Sequence, residues 1–267
     1  MLFSNFPIFF CICGNYLFTL AFLCIKCYYL ENRNGICLPH DEDFMKKNGI
    51  YAILSAICLT AFAALIVMLK TADVGVWLGE KIGLFTLNKA VFDGLGGKLD
   101  EFWYNLTKYL GYVAIAVAAF FVGFGIYLAI KRKSLKSVDK DIYFLGACYI
   151  VLAVAYVVFE KAIVNYRPVL LDGSSTPEAS FPSSHTMLSV AVFGTAIVEI
   201  LFRIKNRALK ISLANVSGAL CVVAAVGRLL SCAHWFTDVL GGILLAMSIV
   251  FAFAYFAGGG KKEERPE

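Results

Sequence analysis

The chain has 267 residues and a mass of 29.3 kDa, a length that by itself suits one or two domains. Hydrophobic residues make up 60% of it and charged residues only 16%, and its mean hydropathy is +0.76. An ordinary soluble domain has roughly 25% charged residues, so this composition excludes a soluble domain, a disordered chain and a collagen. The net charge of +5 does not indicate a basic soluble surface for nucleic acid. Most of the chain is therefore predicted to lie in lipid.

Seven apolar stretches are long enough, or nearly long enough, to form membrane-spanning helices, which need about 20 residues. Helices are expected because a spanning segment in lipid has to satisfy its own backbone hydrogen bonds. The predicted fold class is therefore all-α, an integral membrane helical bundle. The stretches lie roughly at 2–25, 49–69, 109–130, 142–159, 186–202, 209–230 and 237–257.

Lysine and arginine in short loops predict the orientation of the bundle, because loops on the cytoplasmic side are enriched in them. Two loops and the C-terminal tail are strongly basic, and all three fall on one side if six helices follow residue 45. This side is predicted to be cytoplasmic, and the membrane to be a bacterial inner (cytoplasmic) membrane whose other face is periplasmic. The basic segments are 131–140, 203–210 and 261–267, and the external segments are then 70–108, 160–185 and 231–236.

Residues 1–44 allow two interpretations. They form a seventh transmembrane helix, or they are an extension ahead of a six-helix core at 45–260, followed by a cytoplasmic tail at 261–267. They hold five of the nine cysteines, but Cys24 and Cys27 are followed only by Cys37 and His40, which is not a zinc pattern. No metal site is predicted.

Segment 70–108 is too polar to span a membrane, yet it mixes aromatic and aliphatic residues with charges at helical spacing. This pattern predicts one or two amphipathic helices at the membrane interface, broken at residues 94–97, Gly-Leu-Gly-Gly. The segment is either a folded external loop or a lip that guides a lipid into a site.

Polar residues that composition does not explain are concentrated at the external ends of the last four spans. Two of the three histidines, His185 and His234, are among them. Ionisable groups near the end of a membrane helix are costly unless they pair or serve a site, so the clusters predict a site. They are 160–168 (EKAIVNYRP), 181–186 (FPSSHT) and 227–238 (GRLLSCAHWFTD).

The third cluster, together with Arg167 of the first, has side chains that suit chemistry on an oxyanion. His234 and Asp238 are four residues apart, so on a helix the carboxylate can fix one imidazole nitrogen. The other nitrogen is then free to act as a base or a nucleophile. Arg167 and Arg228 are always charged and match a tetrahedral oxyanion.

The second cluster adds an anion site. Ser183, Ser184 and His185 open a helix, where unpaired backbone amides and the helix dipole favour an anion. His185 is a plausible acid for a leaving group. Two histidines, two arginines, an aspartate and a helix N-terminus together describe phosphoryl transfer through a phosphohistidine, with no metal and no cofactor required.

The three clusters resemble the signature of the type-2 phosphatidic acid phosphatase family, written K-x6-R-P, P-S-G-H and S-R-x5-H-x3-D. The resemblance covers about residues 49–257, and the family's six-helix layout agrees with the predicted spans. Ser184 stands at the glycine of the second motif and Gly227 at the serine of the third. The family residues that recur are Arg167, Pro168, Pro182, Ser183, His185, Arg228, His234 and Asp238.

The resemblance implies a role for each matching residue. His234 would be the nucleophile and Asp238 the partner that orients it. His185 would protonate the leaving group and then activate water against the phosphoenzyme. The phosphate would be held by Arg167, Arg228, Ser183, Lys161 and the Ser184 backbone amide.

The lysine of the first motif is displaced by one residue. Lys161 lies six residues before Arg167, whereas the pattern has seven, and Glu160 occupies the expected place. Seven residues nearly complete two helical turns, so on a regular helix Glu160 would share a face with Arg167. A π-bulge or an unwound last turn would restore Lys161, which is retained as the predicted ligand. Otherwise Glu160 could orient Arg167.

The predicted function is an integral-membrane phosphatase acting on a lipid phosphate or diphosphate at the external leaflet. Candidate substrates are lipid A, undecaprenyl diphosphate, phosphatidylglycerophosphate and phosphatidate, and the first two are favoured because their phosphates are accessible on that face. Two alternatives stay open: a lipid phosphotransferase using the same intermediate, and a non-catalytic membrane protein with a degenerate site. The bilayer and a lipid are the expected partners, nucleic acid is not, and the sequence leaves the oligomeric state open.

Overall fold

A computed structural model describes residues 41–171 and 173–259, with side chains between residues 49 and 257. The described residues from Asn48 onward form one compact unit. The predicted span at 2–25 and the tail at 261–267 lie outside the described residues. The elements are α1 (Asp41–Thr71), β1 (Gly75–Trp77), β2 (Glu80–Ile82), α2 (Phe85–Gly94), α3 (Glu101–Lys131), α4 (Lys140–Lys161), α5 (Ser184–Arg203), α6 (Arg207–Leu230) and α7 (Phe236–Gly259).

Six helices of the described part are long and apolar enough to cross a membrane, namely all except α2. This finding confirms the predicted all-α membrane bundle. The third helix begins earlier than the predicted residue 109. Its start is set by Asp100, whose side chain accepts a hydrogen bond from the Trp103 amide at 3.1 Å and so caps the first turn.

Helices α5 and α7 are the most buried of the six spans, and α5 packs against α3, α6 and α7. The two central helices approach closely because Gly194 has no side chain: a Cβ there would lie 2.6 Å from Val250. The outer helices instead expose apolar side chains such as Ile53, Phe120 and Val154. Those faces are suited to contact with lipid tails.

One end of the bundle, here called the basic end, carries loops 132–139 and 204–206. There Arg203 forms ion pairs with Asp139 at 3.0 Å, with Asp141 at 2.8 Å and with Glu199. Arg132 makes a second ion pair with Asp139 at 2.6 Å. This network ties the α3–α4 loop to the end of α5.

The opposite end, here called the loop end, carries segments 72–100, 162–183 and 231–235. The first of these begins with a hairpin of β1 and β2, in which Val76 pairs with Lys81, where the sequence pattern had indicated helix. Leu78 and Gly79 form its two-residue turn with φ of 51° and 84°, values that match the twist of paired strands. A leucine-glycine pair is a weak sequence signal for such a hairpin turn, because leucine rarely adopts positive φ. The amphipathic helix α2 follows.

Candidate active site

The three polar clusters meet at the loop end around a cavity of about 190 Å³. Its walls are formed by the end of α4, by segment 162–183, by the start of α5 and by His234. Four of the predicted site residues line it: Arg167, Ser184, His185 and His234. A larger cavity of about 380 Å³ between α3 and α4 is lined by apolar and tyrosine side chains and offers no charged group.

His234 is buried and held at both ring nitrogens. Nδ1 lies 3.1 Å from the backbone carbonyl of Ser180, and Nε2 lies 3.0 Å from Nη1 of Arg167. A carbonyl only accepts and a guanidinium only donates, so Nδ1 carries the proton and Nε2 carries the lone pair. His234 thus lines the cavity as a neutral imidazole whose lone pair lies next to a cation.

Asp238 is completely buried beside His234 but does not orient it by a hydrogen bond. Its Oδ2 lies 3.7 Å from Nδ1 of His234, which is too far for one. The same oxygen accepts from the Trp235 amide at 2.9 Å and thereby caps the start of α7. The Ser180 carbonyl takes the position at Nδ1 that the sequence had suggested for the carboxylate. Ser180 is a site residue that no motif indicated.

The pKa of His234 is held well below its ordinary value, first by burial and then by the nearby charges of Arg167 and Arg228. Nitrogen-15 spectra of histidine-labelled protein are therefore expected to show a neutral Nδ1–H imidazole that does not titrate as the pH falls through about 6.5. The chain has only three histidines, so His234→Asn assigns the signal. Ordinary titration near pH 6.5 would contradict this placement.

Arg167 is positioned through its backbone. Its amide donates to the Glu178 carbonyl at 3.0 Å, and the carbonyls of its two neighbours accept from the indoles of Trp235 at 2.7 Å and Trp77 at 2.8 Å. Trp77 belongs to the hairpin, so segment 72–100 helps to build the site. The Arg167 Nε atom lies 3.4 Å from the Glu178 carboxylate, which is the acidic partner of this arginine.

Arg228 is 1% exposed and has no carboxylate within ion-pair distance among the described residues. Its Nη2 lies 2.8 Å from Nδ1 of His185, and its Nη1 donates to the Thr107 hydroxyl at 3.1 Å. The guanidinium carbon also lies 4.8 Å from the ring centre of Tyr104. A guanidinium only donates, so Nδ1 of His185 is an acceptor and its proton is on Nε2. A buried cation without an anion is costly, and this arrangement favours binding of an anion here.

The start of α5 lies at the same cavity. The helix begins at Ser184, which lines the cavity, and the amides of a helix's first turn have no acceptor within the helix, so they are available to an anion. Ser183 was predicted to hold the phosphate, but it does not line the cavity. Its amide donates to the Asp238 carbonyl at 2.9 Å, its hydroxyl accepts from Thr186 at 3.0 Å, and it is fully buried. It connects α5 to α7 instead.

No group of three or more His, Cys, Asp or Glu side chains in the described ranges could hold a metal ion. The Arg167 guanidinium lines the cavity, and the Arg228 guanidinium lies behind it, bonded to His185. Each of them is hydrogen-bonded to one histidine. Together with the helix N-terminus they can bind a phosphate and offer it a nucleophilic nitrogen.

Residues 142–259 match the family model of the PAP2 superfamily. The described fold resembles a solved structure, "Crystal structure of the first transmembrane PAP2 type phosphatidylglycerolphosphate phosphatase from Bacillus subtilis". The TM-score is 0.56 at 15% sequence identity, over 79% of this chain and 98% of that one. The match to residues 142–259 supports the resemblance to the type-2 phosphatidic acid phosphatase (PAP2) family that the three clusters indicated. A comparison with curated proteins gave no match. The family-model match and the six candidate spans of the described residues support a membrane lipid phosphatase.

The lysine of the PAP2 pattern has no counterpart in the cavity. Helix α4 continues without a π-bulge to Lys161, so the face that points to the cavity is the one that carries Glu160. Glu160 lines the cavity and Lys161 does not. The structure thus does not bring Lys161 to the phosphate ligands, because the regular helix turns it away. The predicted partnership of Glu160 with Arg167 is taken by Glu178 instead.

Gly227, which replaces the serine of the PAP2 pattern, lies where α6 meets α3. A Cβ at this position would be 2.7 Å from Cγ2 of Thr107 and 3.0 Å from the ring of Trp103. Thr107 fills this space and places its hydroxyl on Arg228. One turn further along α3, a Cβ at Gly111 would lie 3.0 Å from the His185 ring. Helix α3 thus packs against two residues of the site, Arg228 and His185, and sequence reasoning missed this contact.

Gly227→Ser is expected to lower phosphate release roughly tenfold or more, because overpacking at this contact costs about 1–3 kcal/mol and displaces the Thr107 hydroxyl from Arg228. Adding Thr107→Ser, which removes Cγ2 and keeps the hydroxyl, is expected to restore most of the activity. Gly218→Ser on the same helix is the matched control, since nothing lies within 4 Å of a Cβ there. A double variant no more active than Gly227→Ser would contradict the coupling.

Proposed function

We propose that this protein hydrolyses a lipid phosphate or diphosphate through a covalent phosphohistidine at His234. One observation carries the proposal: Nε2 of His234, which bears the lone pair, lies beside the Arg167 guanidinium in a small cavity at the start of α5. A phosphate in that cavity would meet a nucleophile and its anion-binding groups together.

In the first step, Nε2 of His234 attacks phosphorus. The new N–P bond forms as the P–O bond to the lipid breaks, and the leaving oxygen takes a proton from His185. In the second step His185 removes a proton from water, whose oxygen attacks phosphorus. The N–P bond then breaks, inorganic phosphate leaves, and His234 is neutral again. The charge of Asp238, 3.7 Å from Nδ1, stabilises the phosphorylated imidazole.

Both histidines are hydrogen-bonded to arginines that the phosphate also needs. Arg167 donates to the lone pair of His234 that must attack, and Arg228 donates to Nδ1 of His185. His185 can act as an acid only when both of its nitrogens carry protons, and Nδ1–H would then face the N–H of Arg228. Phosphate binding turns both arginines towards the phosphate oxygens, so it frees the nucleophile and allows His185 to take up its proton.

The membrane placement follows from the charge pattern. The basic end carries the Lys- and Arg-rich loops 131–140 and 203–210, which favour the cytoplasm. The cavity at the loop end would then open on the external leaflet, which is periplasmic if the membrane is a bacterial inner membrane. Phosphatidylglycerophosphate, named for the Bacillus subtilis relative, joins lipid A, undecaprenyl diphosphate and phosphatidate as a substrate to be tested.

The test is release of inorganic phosphate by the detergent-purified protein from these four lipids, in EDTA, with His234→Ala as the matched variant. Release that survives EDTA and disappears in the variant supports a metal-independent phosphatase. Loss of lipid phosphate without release of inorganic phosphate, but with label on an added acceptor lipid, would show a phosphotransferase instead. No turnover of any lipid and no transfer would favour a non-catalytic protein.

A further inference from the structure

Three polar side chains from separate parts of the chain meet in a buried cluster at the loop end. Asn88 belongs to α2, Asn165 follows α4 and Thr237 lies in the first turn of α7, and each is at most 1% exposed. The cluster is centred on the peptide of Gly83, whose amide donates to Oδ1 of Asn165 at 3.1 Å and whose carbonyl accepts from Nδ2 of Asn88 at 3.0 Å. Buried amide groups are costly unless they are hydrogen-bonded, and apolar side chains would serve a contact that only fills space.

Asn88 fixes the Gly83 peptide to the start of α7. Its Nδ2 also donates to Oγ1 of Thr237 at 2.9 Å, and its Oδ1 accepts from the Thr237 amide at 3.2 Å. That amide lies in the first turn of α7, where the helix itself provides no acceptor. A Cβ at Gly83 would lie 1.8 Å from the carbonyl oxygen of Leu69, so α1 confines the same peptide from another side. Segment 83–88 is therefore held between α1 and the helix that follows His234.

The backbone of Asn165 continues the connection to His234. The Asn165 carbonyl accepts from the Ser180 amide at 2.9 Å, and the Ser180 carbonyl lies 3.1 Å from Nδ1 of His234. The neighbouring residues Tyr166 and Ala179 pair as an antiparallel bridge. The Ser180 carbonyl keeps the proton on Nδ1 and leaves the lone pair on Nε2. Whatever holds Asn165 in place therefore also holds the tautomer that the proposed reaction needs.

The side chain of Asn165 also lies beside Asp238. Nδ2 of Asn165 and Oδ1 of Asp238 are buried and make no hydrogen bond of normal length and angle among the described residues, but the two side chains interact as donor and acceptor. Asp238 is the carboxylate whose charge would stabilise the phosphorylated imidazole. One asparagine thus contacts both supports of His234, the Ser180 peptide and the Asp238 side chain.

We propose that Asn165 is a positioning residue for His234. It holds the Ser180 carbonyl on Nδ1 and supports Asp238 beside it, and Asn88 holds Asn165 in place through the Gly83 peptide. Asn165 does not line the cavity, so it acts through His234 and not on the lipid. This inference rests on the proposed function, because the tautomer of His234 matters to the reaction only if Nε2 attacks phosphorus.

Asn165→Ala removes the acceptor of the Gly83 amide and the donor beside Asp238. The kcat for phosphate release from the fastest of the four lipids is expected to fall roughly tenfold to a hundredfold, the usual effect of losing a group that orients a histidine. KM should change less than about twofold, because Arg167 and Arg228 remain. Nitrogen-15 spectra of histidine-labelled protein should show His234 as a mixture of Nδ1–H and Nε2–H tautomers. A residue that only stabilises the fold would lower the yield of folded protein and leave this spectrum unchanged.

Asn165→Asp is the conservative variant, which keeps the shape of the side chain. Its carboxyl group accepts from the Gly83 amide and, when protonated, donates to Asp238. Two neighbouring buried carboxylates repel each other when both are ionised, so kcat relative to the wild type is expected to rise as the pH falls from about 8 to about 5. Asn88→Ala should lower kcat by itself but add little to Asn165→Ala, because both act through the Gly83 peptide.

Thr195→Val is the matched control, because Thr195 is an equally buried polar residue in the middle of α5, and its hydroxyl donates to the Ala191 carbonyl at 2.9 Å. It should leave kcat and the His234 tautomer unchanged. A folded Asn165→Ala protein in which His234 is still only Nδ1–H would overturn this inference while the phosphatase itself stands. If that variant does not fold, a ratio of Asn165→Asp to wild-type kcat that does not change with pH would overturn it. Absence of phosphate release from all four lipids by the wild type would instead overturn the proposed function and this inference with it.

Discussion

His234→Ala is expected to lower phosphate release more than about a thousandfold, because it removes the nitrogen of the proposed covalent intermediate. The loss should appear in kcat, with substrate binding by Arg167 and Arg228 largely retained. The measurement is phosphate release together with trapping of acid-labile, base-stable label from a phosphorus-32 substrate. Label retained on the variant would place the nucleophile elsewhere.

His185→Asn separates the two histidines. This variant lacks the acid for a poor leaving group and the base for water, but it keeps the nucleophile. With an aryl phosphate, whose leaving group needs no proton, it is expected to form the phosphoenzyme and to hydrolyse it slowly, so that label accumulates. Faster loss of label than in the wild type would contradict the assignment of His185.

Arg228→Met is expected to lower phosphate release by about 10²–10³ and yet to leave the thermal midpoint of unfolding at least as high as in the wild type. The activity falls because the phosphate loses a fixed cationic donor. Stability is retained because Arg228 is 1% exposed without a described carboxylate partner, so the substitution removes a buried charge that only an anion would compensate. Thermal unfolding in detergent, measured beside phosphate release, checks both parts.

Arg203→Met is the matched control at the other end of the bundle. Arg203 is paired with three carboxylates, those of Glu199, Asp139 and Asp141, and removing it leaves them to repel one another. Its partial exposure moderates the cost, but the thermal midpoint is expected to fall while phosphate release by the remaining folded protein changes little. A midpoint that falls as far in Arg228→Met as in Arg203→Met would contradict the account of Arg228.

The two arginines of the site connect binding to chemistry. In the described structure each one bonds a histidine nitrogen that the proposed reaction needs, Nε2 of His234 for attack and Nδ1 of His185 for proton uptake. We therefore expect a phosphate that draws both guanidinium groups away to activate both histidines. Water is expected to draw the arginines away from the histidines less effectively than a phosphate does, because charge-assisted hydrogen bonds to a phosphate are stronger than hydrogen bonds to water.

Composition and periodicity by themselves determined the solvent, the fold class and the neighbourhood of the site. Sixty per cent hydrophobic residues can be covered only by lipid, and lipid permits helices, so six of the predicted spans recur in the described structure. Ionisable groups at the ends of apolar spans are costly unless they pair or serve a site. This cost is why the sequence predicted the site residues His185, His234, Arg167 and Arg228.

Only the tertiary structure decided how those residues are connected. Ser180 and Thr107 come from other segments, at 54 and 121 residues from the groups they contact, and no local pattern reports such contacts. Ser183 was predicted at the phosphate, but it is used to join α5 to α7. Which of Glu160 and Lys161 faces the cavity depends on the regularity of the last turn of α4, where one residue corresponds to about 100° of rotation. Spacing predicts which residue types come near one another, and packing between distant segments decides which atoms meet.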